Sequence, residues 1–231
     1  MKFENPLIHG HLIKRYKRFL ADVELSNGEV ITVHCPNTGT MLSCSTPGSE
    51  VALSVSDNPK RKYPHTLEMI NENGIWIGVN TARTNGLVAD AILGGGVSEF
   101  SGVERIKREI KTSEHTRLDL LLHTATEEIY VEVKNCSLAQ KGLAMFPDAV
   151  TTRGTKHLNE LIRLQGEGKR SCIFFLVQRM DADSFAPAAH IDEVYAKTLK
   201  EAITKGVMAL VYQARVTPEG IEVVRPLPLS L

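Results

Sequence analysis

Two neighbouring apolar runs carry charged residues where a β-strand normally places a hydrophobic side chain. Asp119 interrupts the run at 117–122, and Glu132 and Lys134 interrupt the run at 129–134. Because side chains alternate between the two faces of a strand, Glu132 and Lys134 share one face. The turn-length gap between the runs predicts that the two strands are neighbours. The chain is therefore constrained to a sheet on which three charged side chains converge.

An exposed ion pair across two strands is the simplest explanation of this pattern, and such a pair contributes little stability. The flanking residues are strongly apolar, however, so these charges are expected to be partly buried, and buried charges need a partner or a metal. The carboxylates of Asp119 and Glu132 are hard oxygen ligands of the kind that bind Mg²⁺ or Mn²⁺. Lys134 beside them can orient water or stabilise phosphate oxygens. The three residues therefore predict a catalytic site for phosphodiester hydrolysis, with Asp119 and Glu132 as metal ligands.

The first part of the chain alternates short strand patterns with turn signals. Asn27-Gly28 and Asn73-Gly74 are typical of hairpins, because asparagine and glycine accept the positive φ angles of a tight turn. Strand patterns cover residues 19–25, 30–35, 51–55, 66–70 and 75–79. Several short strands in so short a segment indicate a small β-barrel of the OB type.

Two basic clusters in the same region interleave cations with aromatic residues. This composition is typical of a groove that follows phosphates and stacks bases, although solvated strand ends have the same composition. The formal net charge of the chain is zero, so any nucleic-acid binding must come from local patches of this kind. The predicted DNA contacts are Lys14, Arg15, Tyr16, Lys17 and Arg18 in the first cluster and Lys60, Arg61 and Lys62 in the second.

Helical and strand patterns alternate in the second half. A helix at 81–93 stops at three consecutive glycines, Gly94 to Gly96. Further helices are predicted at 151–166 and 191–206, and strands at 103–112, 171–178, 207–216 and 221–224. The continuous apolar run at 171–178 is typical of a central strand covered on both faces. The order predicts an α/β sandwich around a mixed sheet, with a domain boundary near residue 80.

The cysteines carry no metal-binding or disulfide spacing. The longest apolar run, 172–177, is far shorter than the roughly 20 residues that span a bilayer. No basic stretch followed by an apolar run follows Met1, so no signal peptide is expected. These features predict a cytoplasmic protein with no membrane association.

Asp119 and Glu132-Val133-Lys134 resemble the core of the PD-(D/E)xK nuclease superfamily, whose order of helix, three strands, helix and strand matches the predicted second half. Nearly the whole chain resembles the sugar fermentation stimulation protein A family of bacteria. The segments that carry this closer resemblance are 15–22 (RYKRFLAD), 34–39 (HCPNTG), 60–66 (KRKYPHT), 130–134 (YVEVK), 146–151 (FPDAVT) and 153–158 (RGTKHL).

The resemblance implies an OB-like DNA-binding domain at residues 1–80 and a PD-(D/E)xK nuclease-like α/β domain with a mixed central sheet at 81–231. It also implies DNA binding without marked sequence preference and a link to the regulation of sugar utilisation, particularly of maltose. The superfamily pattern assigns Asp119 and Glu132 as ligands of a divalent metal and Lys134 as the residue that positions water. Leu118 stands where the superfamily usually has proline, which leaves the ligand in place.

Further residues near this core extend the predicted site. Nuclease relatives often add an acidic ligand, and the alternatives here are Glu99, Glu109 and Asp148, for each of which a surface, turn or cap role is the competing interpretation. Arg153, Lys156 and His157 begin the predicted second helix, where a helix N-terminus favours phosphate. We interpret these three residues as DNA-backbone contacts.

Three functions are compatible with these features. The first is a metal-dependent DNA endonuclease, the second a DNA-binding regulatory factor without turnover, and the third an RNA-acting or repair-associated nuclease. The carboxylates favour an enzyme, because a pure binder has no physical reason to place them beside phosphates. The sequence leaves the substrate's structure, the metal and the oligomeric state open, and it allows a homodimer.

Overall fold

A closed five-stranded β-barrel forms the N-terminal part of the computed structural model, which describes residues 1–231. Its strands are β1 (Ile8–Tyr16), β2 (Leu20–Leu25), β3 (Val30–His34), β4 (Glu50–Val55) and β5 (His65–Glu72), and the short β6 (Ile75–Gly78) extends the sheet beyond β5. Neighbouring strands are antiparallel, and a parallel contact between His34 and Thr66 joins β3 to β5. The predicted OB-type barrel is confirmed.

The first basic cluster is part of β1 and its turn. Lys17 and Arg18 occupy the hairpin turn to β2 with φ angles of 48° and 62°. The turn spans residues 17–19, because Tyr16 pairs with Leu20, and two consecutive positive φ angles normally select asparagine or glycine. The sequence signals that identified the other two hairpins are therefore absent at this turn.

The barrel is joined to the second half by a short helical segment. Residues Thr81–Arg83 form a single 3₁₀ turn, and the side chain of Asn80 caps its start. The helix α1 (Thr84–Leu93) follows directly. The buried carboxylate of Glu68 on β5 accepts two hydrogen bonds from the Arg83 guanidinium, at 2.6 and 2.7 Å. This bidentate pair connects the barrel to the start of α1.

The second half contains the remaining elements. They are β7 (Arg105–Ser113), β8 (Thr116–His123), β9 (Glu128–Cys136), β10 (Leu138–Gln140), β11 (Gly142–Phe146), α2 (Thr152–Gly166), β12 (Arg170–Val177), β13 (Ala182–Pro187), α3 (Glu193–Thr204), β14 (Met208–Thr217) and β15 (Gly220–Pro226). Six strands form one sheet in the order β15-β14-β12-β9-β8-β7. β12 runs parallel to both β9 and β14, while the outer pairs are antiparallel. The predicted mixed sheet is confirmed.

The central strand β12 separates two hydrophobic cores. The side chains of 172–177 are fully buried, with Phe174 packed on the face covered by α1 and Phe175 on the face covered by α2 and α3. Side-chain oxygens of Thr151 and Asp192 cap the N-termini of α2 and α3. This packing fixes the position of α2 over β8 and β9.

A small sheet of β10, β11 and β13 was missed by the sequence analysis. Its strands have three to six residues, too few for a periodic pattern to separate them from loops. β11 pairs with β13 in parallel and leads directly into the loop at 147–151. The sheet therefore supports a loop that reaches the barrel.

Hydrogen bonds hold the two halves together at several points. Thr40 Oγ1 donates to the carbonyl of Asp148 at 2.6 Å, and the N–H of Met41 donates to the Asp148 carboxylate at 2.9 Å. The N–H of Gly78 donates to the carbonyl of Gln178 at 2.9 Å.

None of the helices combines the length and apolar character needed to cross a bilayer.

Candidate metal centre in the interdomain cleft

The ladder between β8 and β9 stops at the residue pair Leu120–Val131, and Asp119 lies just beyond that point. One carboxylate oxygen of Asp119 accepts a hydrogen bond from the N–H of Val133 at 2.8 Å. The other accepts from the side-chain amide of Asn85 in α1, at 2.9 Å. The Asp119 carboxylate thus accepts the hydrogen bond that the N–H of Val133 would otherwise donate to a backbone carbonyl of β8. The two hydrogen bonds together fix the orientation of the carboxylate.

Glu132 lies beside Asp119 and is only 1% exposed. Its Oε1 accepts hydrogen bonds from the Lys134 ammonium and from Nδ1–H of His157. Its Oε2 is buried and has no hydrogen-bond partner. A buried polar atom without a partner costs free energy, so Oε2 marks a position where a ligand would stabilise the protein.

Burial raises the pKa of Asp119 to about 6, and the neighbouring charge of Glu132 contributes to the same rise. Burial would also raise the pKa of Glu132, but Lys134 and His157 outweigh it and hold that pKa below its usual value. The two carboxylates therefore compete for ionisation within one site. A bound cation would relieve this repulsion.

The donor set suits a hard divalent cation. Oε2 of Glu132 is free to coordinate, and each oxygen of Asp119 keeps an acceptor position beside the hydrogen bond it accepts. The chain gathers no cluster of three or more histidine, cysteine, aspartate or glutamate side chains in metal-binding geometry. Two carboxylates are enough for Mg²⁺, which usually keeps several waters and binds through one or two carboxylates plus phosphate oxygens. The residues present fit the predicted metal.

A cleft of about 450 Å³ between the two halves gives access to this site. The barrel contributes Arg18, Asn37, Thr38 and Gly39 to its walls, and the second half contributes Asn85, Asp119, Glu132, Lys134, Asn135, Asp148 and Arg153 among others. The candidate metal centre therefore lies at the junction of the domains, and Arg18 and Arg153 provide cations on opposite walls.

The predicted DNA contacts of the first basic cluster occupy different positions. Arg18 lines the cleft, and Lys17 is exposed at the same turn. Arg15 has a structural role, because its guanidinium donates hydrogen bonds to the backbone carbonyls of Asn37, Gly39 and Arg18 at 2.6 to 2.9 Å.

The two remaining residues of that cluster also have protein partners. Tyr16 donates its hydroxyl to Asp22 at 2.8 Å, and Lys14 lies 3.6 Å from the same carboxylate. The second cluster lies at the β4–β5 connection, where Lys60 and Lys62 are exposed. Arg61 in that cluster donates to Thr66 Oγ1 at 3.0 Å. None of these residues lines the cleft.

The three additional acidic residues do not join the two carboxylates in one cluster. Glu99 accepts a hydrogen bond from the hydroxyl of Tyr212, at 2.5 Å, and does not line the cleft. Glu109 is exposed on β7 with a φ of 55°. Asp148 lines the cleft, but its carboxylate accepts a hydrogen bond from the N–H of Met41 in the barrel.

The residues at the start of α2 also separate. Arg153 is exposed in the cleft, and Lys156 is exposed and donates to the carbonyl of His115 at 2.8 Å. His157 is buried, with 5% exposure, and its ring holds Glu132. The structure thus places His157 against the carboxylate of Glu132 in the candidate metal centre, whereas the sequence analysis predicted a contact on the DNA backbone.

Two parts of the site were missed by the sequence analysis. Asn85 orients Asp119, and the only sequence signal for it was a polar side chain in the first turn of a predicted helix. The segment 37–39 forms one wall of the cleft, and the sequence analysis gave it no role in the site beyond its place in the segment 34–39 that carries the family resemblance. Both contributions depend on how the two domains pack.

The class of protein is now defined: an OB-type barrel joined to an α/β domain with a mixed central sheet. Comparison with known families agrees with this description. Residues 13–79 match the family model described as the SfsA N-terminal OB domain, and residues 82–220 match the one described as the sugar fermentation stimulation protein RE domain.

Individual relatives match along the whole chain. The sugar fermentation stimulation protein homolog of Desulfotalea psychrophila is 61% identical, with 100% of this chain and 95% of that protein covered. The homolog of Geobacter sulfurreducens is 50% identical, with 99% and 98% covered. The structure of Pyrococcus furiosus SfsA in complex with Ca²⁺ superposes with a TM-score of 0.92 at 27% identity, covering 100% of this chain and 98% of that one. The chain belongs to the sugar fermentation stimulation protein (SfsA) family.

Proposed function

We propose that the protein is a divalent-metal-dependent nuclease that binds DNA across the interdomain cleft and hydrolyses a phosphodiester at Asp119 and Glu132. The observation that carries the proposal is the unpartnered, buried Oε2 of Glu132, held next to a second carboxylate and a lysine. The Ca²⁺ in the structure of the Pyrococcus furiosus relative supports a divalent ion in proteins of this fold.

Asp119 and Glu132 would hold the cation, which would supply positive charge to offset the negative charge that builds up on the phosphate during hydrolysis. Lys134 has its ammonium on Oε1 of Glu132 and faces the cleft. From that position it can donate a hydrogen bond to a water or to a phosphate oxygen. His157 holds Oε1 from the other side, so that Oε2 stays directed at the ligand position.

With a cation bound at Asp119 and Glu132, the charges of the cleft would favour a polyanionic substrate. Arg18 and Arg153 are the exposed cations on its two walls, and each can bind a phosphate through two parallel N–H groups. Binding of this kind addresses the backbone and carries no base sequence information. These features support DNA binding without marked sequence preference.

The test is a cleavage assay on duplex, single-stranded and branched DNA and on RNA, with Mg²⁺, Mn²⁺ or EDTA. We expect metal-dependent cleavage of at least one DNA substrate, and a decrease of at least about 100-fold for Glu132→Gln, which keeps the shape of the side chain but removes its charge. Glu160→Gln is the matched control, because Glu160 is also buried but pairs with Arg163 outside the cleft.

Two other outcomes would assign a different function. DNA binding without cleavage of any substrate under any of these conditions would leave a non-catalytic DNA-binding factor, the kind of role that a regulator of sugar utilisation would need. Preferential cleavage of RNA would make the protein an RNA-acting nuclease. Lys134→Met separates binding from chemistry, because we expect it to lose cleavage and to retain DNA affinity.

A further inference from the structure

A second pocket lies beside the metal centre, between the start of α2 and the β7–β8 hairpin. It has a volume of about 350 Å³, and no hydrophobic residue lines it. Its walls are formed by Glu109, His115, Arg117, Arg153, Lys156 and His157. Such an entirely polar lining is unsuited to an apolar ligand and suits an ionic one.

The charge of the lining is unbalanced, because three cationic side chains face a single carboxylate. Arg117 and Glu109 are 3.9 Å apart, and their side chains are 60% and 61% exposed, so their mutual attraction is weak. The Lys156 ammonium donates to the carbonyl of His115, a contact that satisfies a hydrogen bond but neutralises no charge. The pocket therefore has a positive surplus available to an anion.

His157 connects this pocket to the metal centre. Its Nδ1–H donates to Glu132, and its Nε2 accepts from Nε of Arg153 at 3.5 Å. Arg153 lines both the interdomain cleft and the second pocket. Anion-binding groups therefore continue from the cleft, past the metal centre, into the pocket.

We propose that this second pocket binds a phosphate of the nucleic acid, next to the phosphodiester held at Asp119 and Glu132. The two arginines can bind phosphate oxygens in bidentate fashion, and Lys156 adds a point charge. The pocket also adjoins the first turn of α2, where the helix dipole favours negative charge. The proposal rests on the proposed function, because the nucleic acid must first lie in the cleft.

Two sources supply a phosphate of this kind: an internal phosphodiester or a 5′-terminal phosphate. The experiment compares wild type with Arg117→Gln/Lys156→Gln, since both residues line this pocket and neither lines the cleft. Lys197→Gln/Lys200→Gln on α3 removes the same charge from an exposed helix and is the control. Fluorescence anisotropy with 5′-phosphorylated and 5′-hydroxyl oligonucleotides, in EDTA across a salt series, gives affinity without cleavage.

The pocket variant should bind about tenfold more weakly at low salt, and its slope of log affinity against log salt should fall by about one unit, the value of one lost phosphate contact. Loss of a preference for 5′-phosphorylated DNA would identify a terminal phosphate, while equal weakening on both oligonucleotides would identify an internal one. A pocket variant with the affinity and salt slope of the control overturns the proposal, even if the wild type cleaves DNA. A wild type that binds DNA but never cleaves it refutes the nuclease alone. A wild type that binds DNA neither in EDTA nor in Ca²⁺ refutes both proposals.

Discussion

Replacing Asp119 with asparagine should stabilise the metal-free protein at neutral and alkaline pH. The pKa of Asp119 is about 6 in the folded protein, compared with an ordinary value of 3.8. A shift of one unit corresponds to about 1.4 kcal/mol, so the ionised carboxylate costs the folded state about 2 to 3 kcal/mol. The amide of asparagine can still accept from Val133, and Asn85 can turn its own amide to match.

The sign of the pH dependence follows from the raised pKa. The folded protein holds the proton of Asp119 more tightly than the unfolded chain, so the group's favourable contribution is complete below pH 3.8. That contribution is lost as the pH rises through about 6. Asp119→Asn carries no such proton, so its advantage over wild type should be near zero at pH 4 and reach its full size by pH 8.

Urea denaturation at pH 4, 6 and 8 in EDTA measures these differences, with equal m-values required for the comparison. Asp183→Asn is the control, since it makes the same substitution at a side chain that is 85% exposed and lies outside the site. Adding Ca²⁺ or Mn²⁺ should reverse the order, because a cation at 1,000 times its dissociation constant stabilises wild type by about 4.1 kcal/mol. A wild type that is at least as stable as Asp119→Asn in EDTA at pH 8 would refute this account of the carboxylate pair.

Three further substitutions test the domain junction and the cleft. Gly39→Ala should lower stability by about 1 to 3 kcal/mol in thermal denaturation, because a Cβ at Gly39 would lie 2.4 and 2.5 Å from the carboxylate oxygens of Asp148. Glu68→Gln should cost about 3 kcal/mol in urea denaturation, because it leaves the Arg83 guanidinium without its buried carboxylate partner. Arg18→Gln should weaken DNA binding and reduce its salt slope by about one phosphate contact in an anisotropy titration.

Each of these substitutions has a specific control. Combining Gly39→Ala with Asp148→Ala removes the clash, so the double variant should lose less stability than the sum of the two single variants. Glu193→Gln breaks an exposed ion pair and should cost far less than Glu68→Gln, for which it is the reference. Arg215→Gln removes an exposed arginine away from the cleft, and an effect on DNA binding equal to that of Arg18→Gln would remove the cleft from the interface.

Local sequence patterns determined much of the fold. The Asn-Gly turns and short alternating strands specified the barrel, and the run at 172–177 specified the central strand, because each signal acts within a few residues. The β1–β2 turn and the three-stranded sheet were missed, since Lys17 and Arg18 do not have the usual composition of such a turn and the short strands have too few residues to show a period.

The sequence by itself also brought Asp119, Glu132 and Lys134 together, because strand alternation and a short turn are enough to place them on adjacent strands. Only the tertiary structure decided what surrounds them. The hydrogen bonds from Asn85 and His157 to the two carboxylates, and the cleft against the barrel, join residues far apart in the chain. In the same packing, Arg15 donates hydrogen bonds to backbone carbonyls, whereas Arg18 is exposed and lines the cleft, although both belong to one basic cluster. Composition identifies a cation, but its surroundings determine whether its charge is available to a partner.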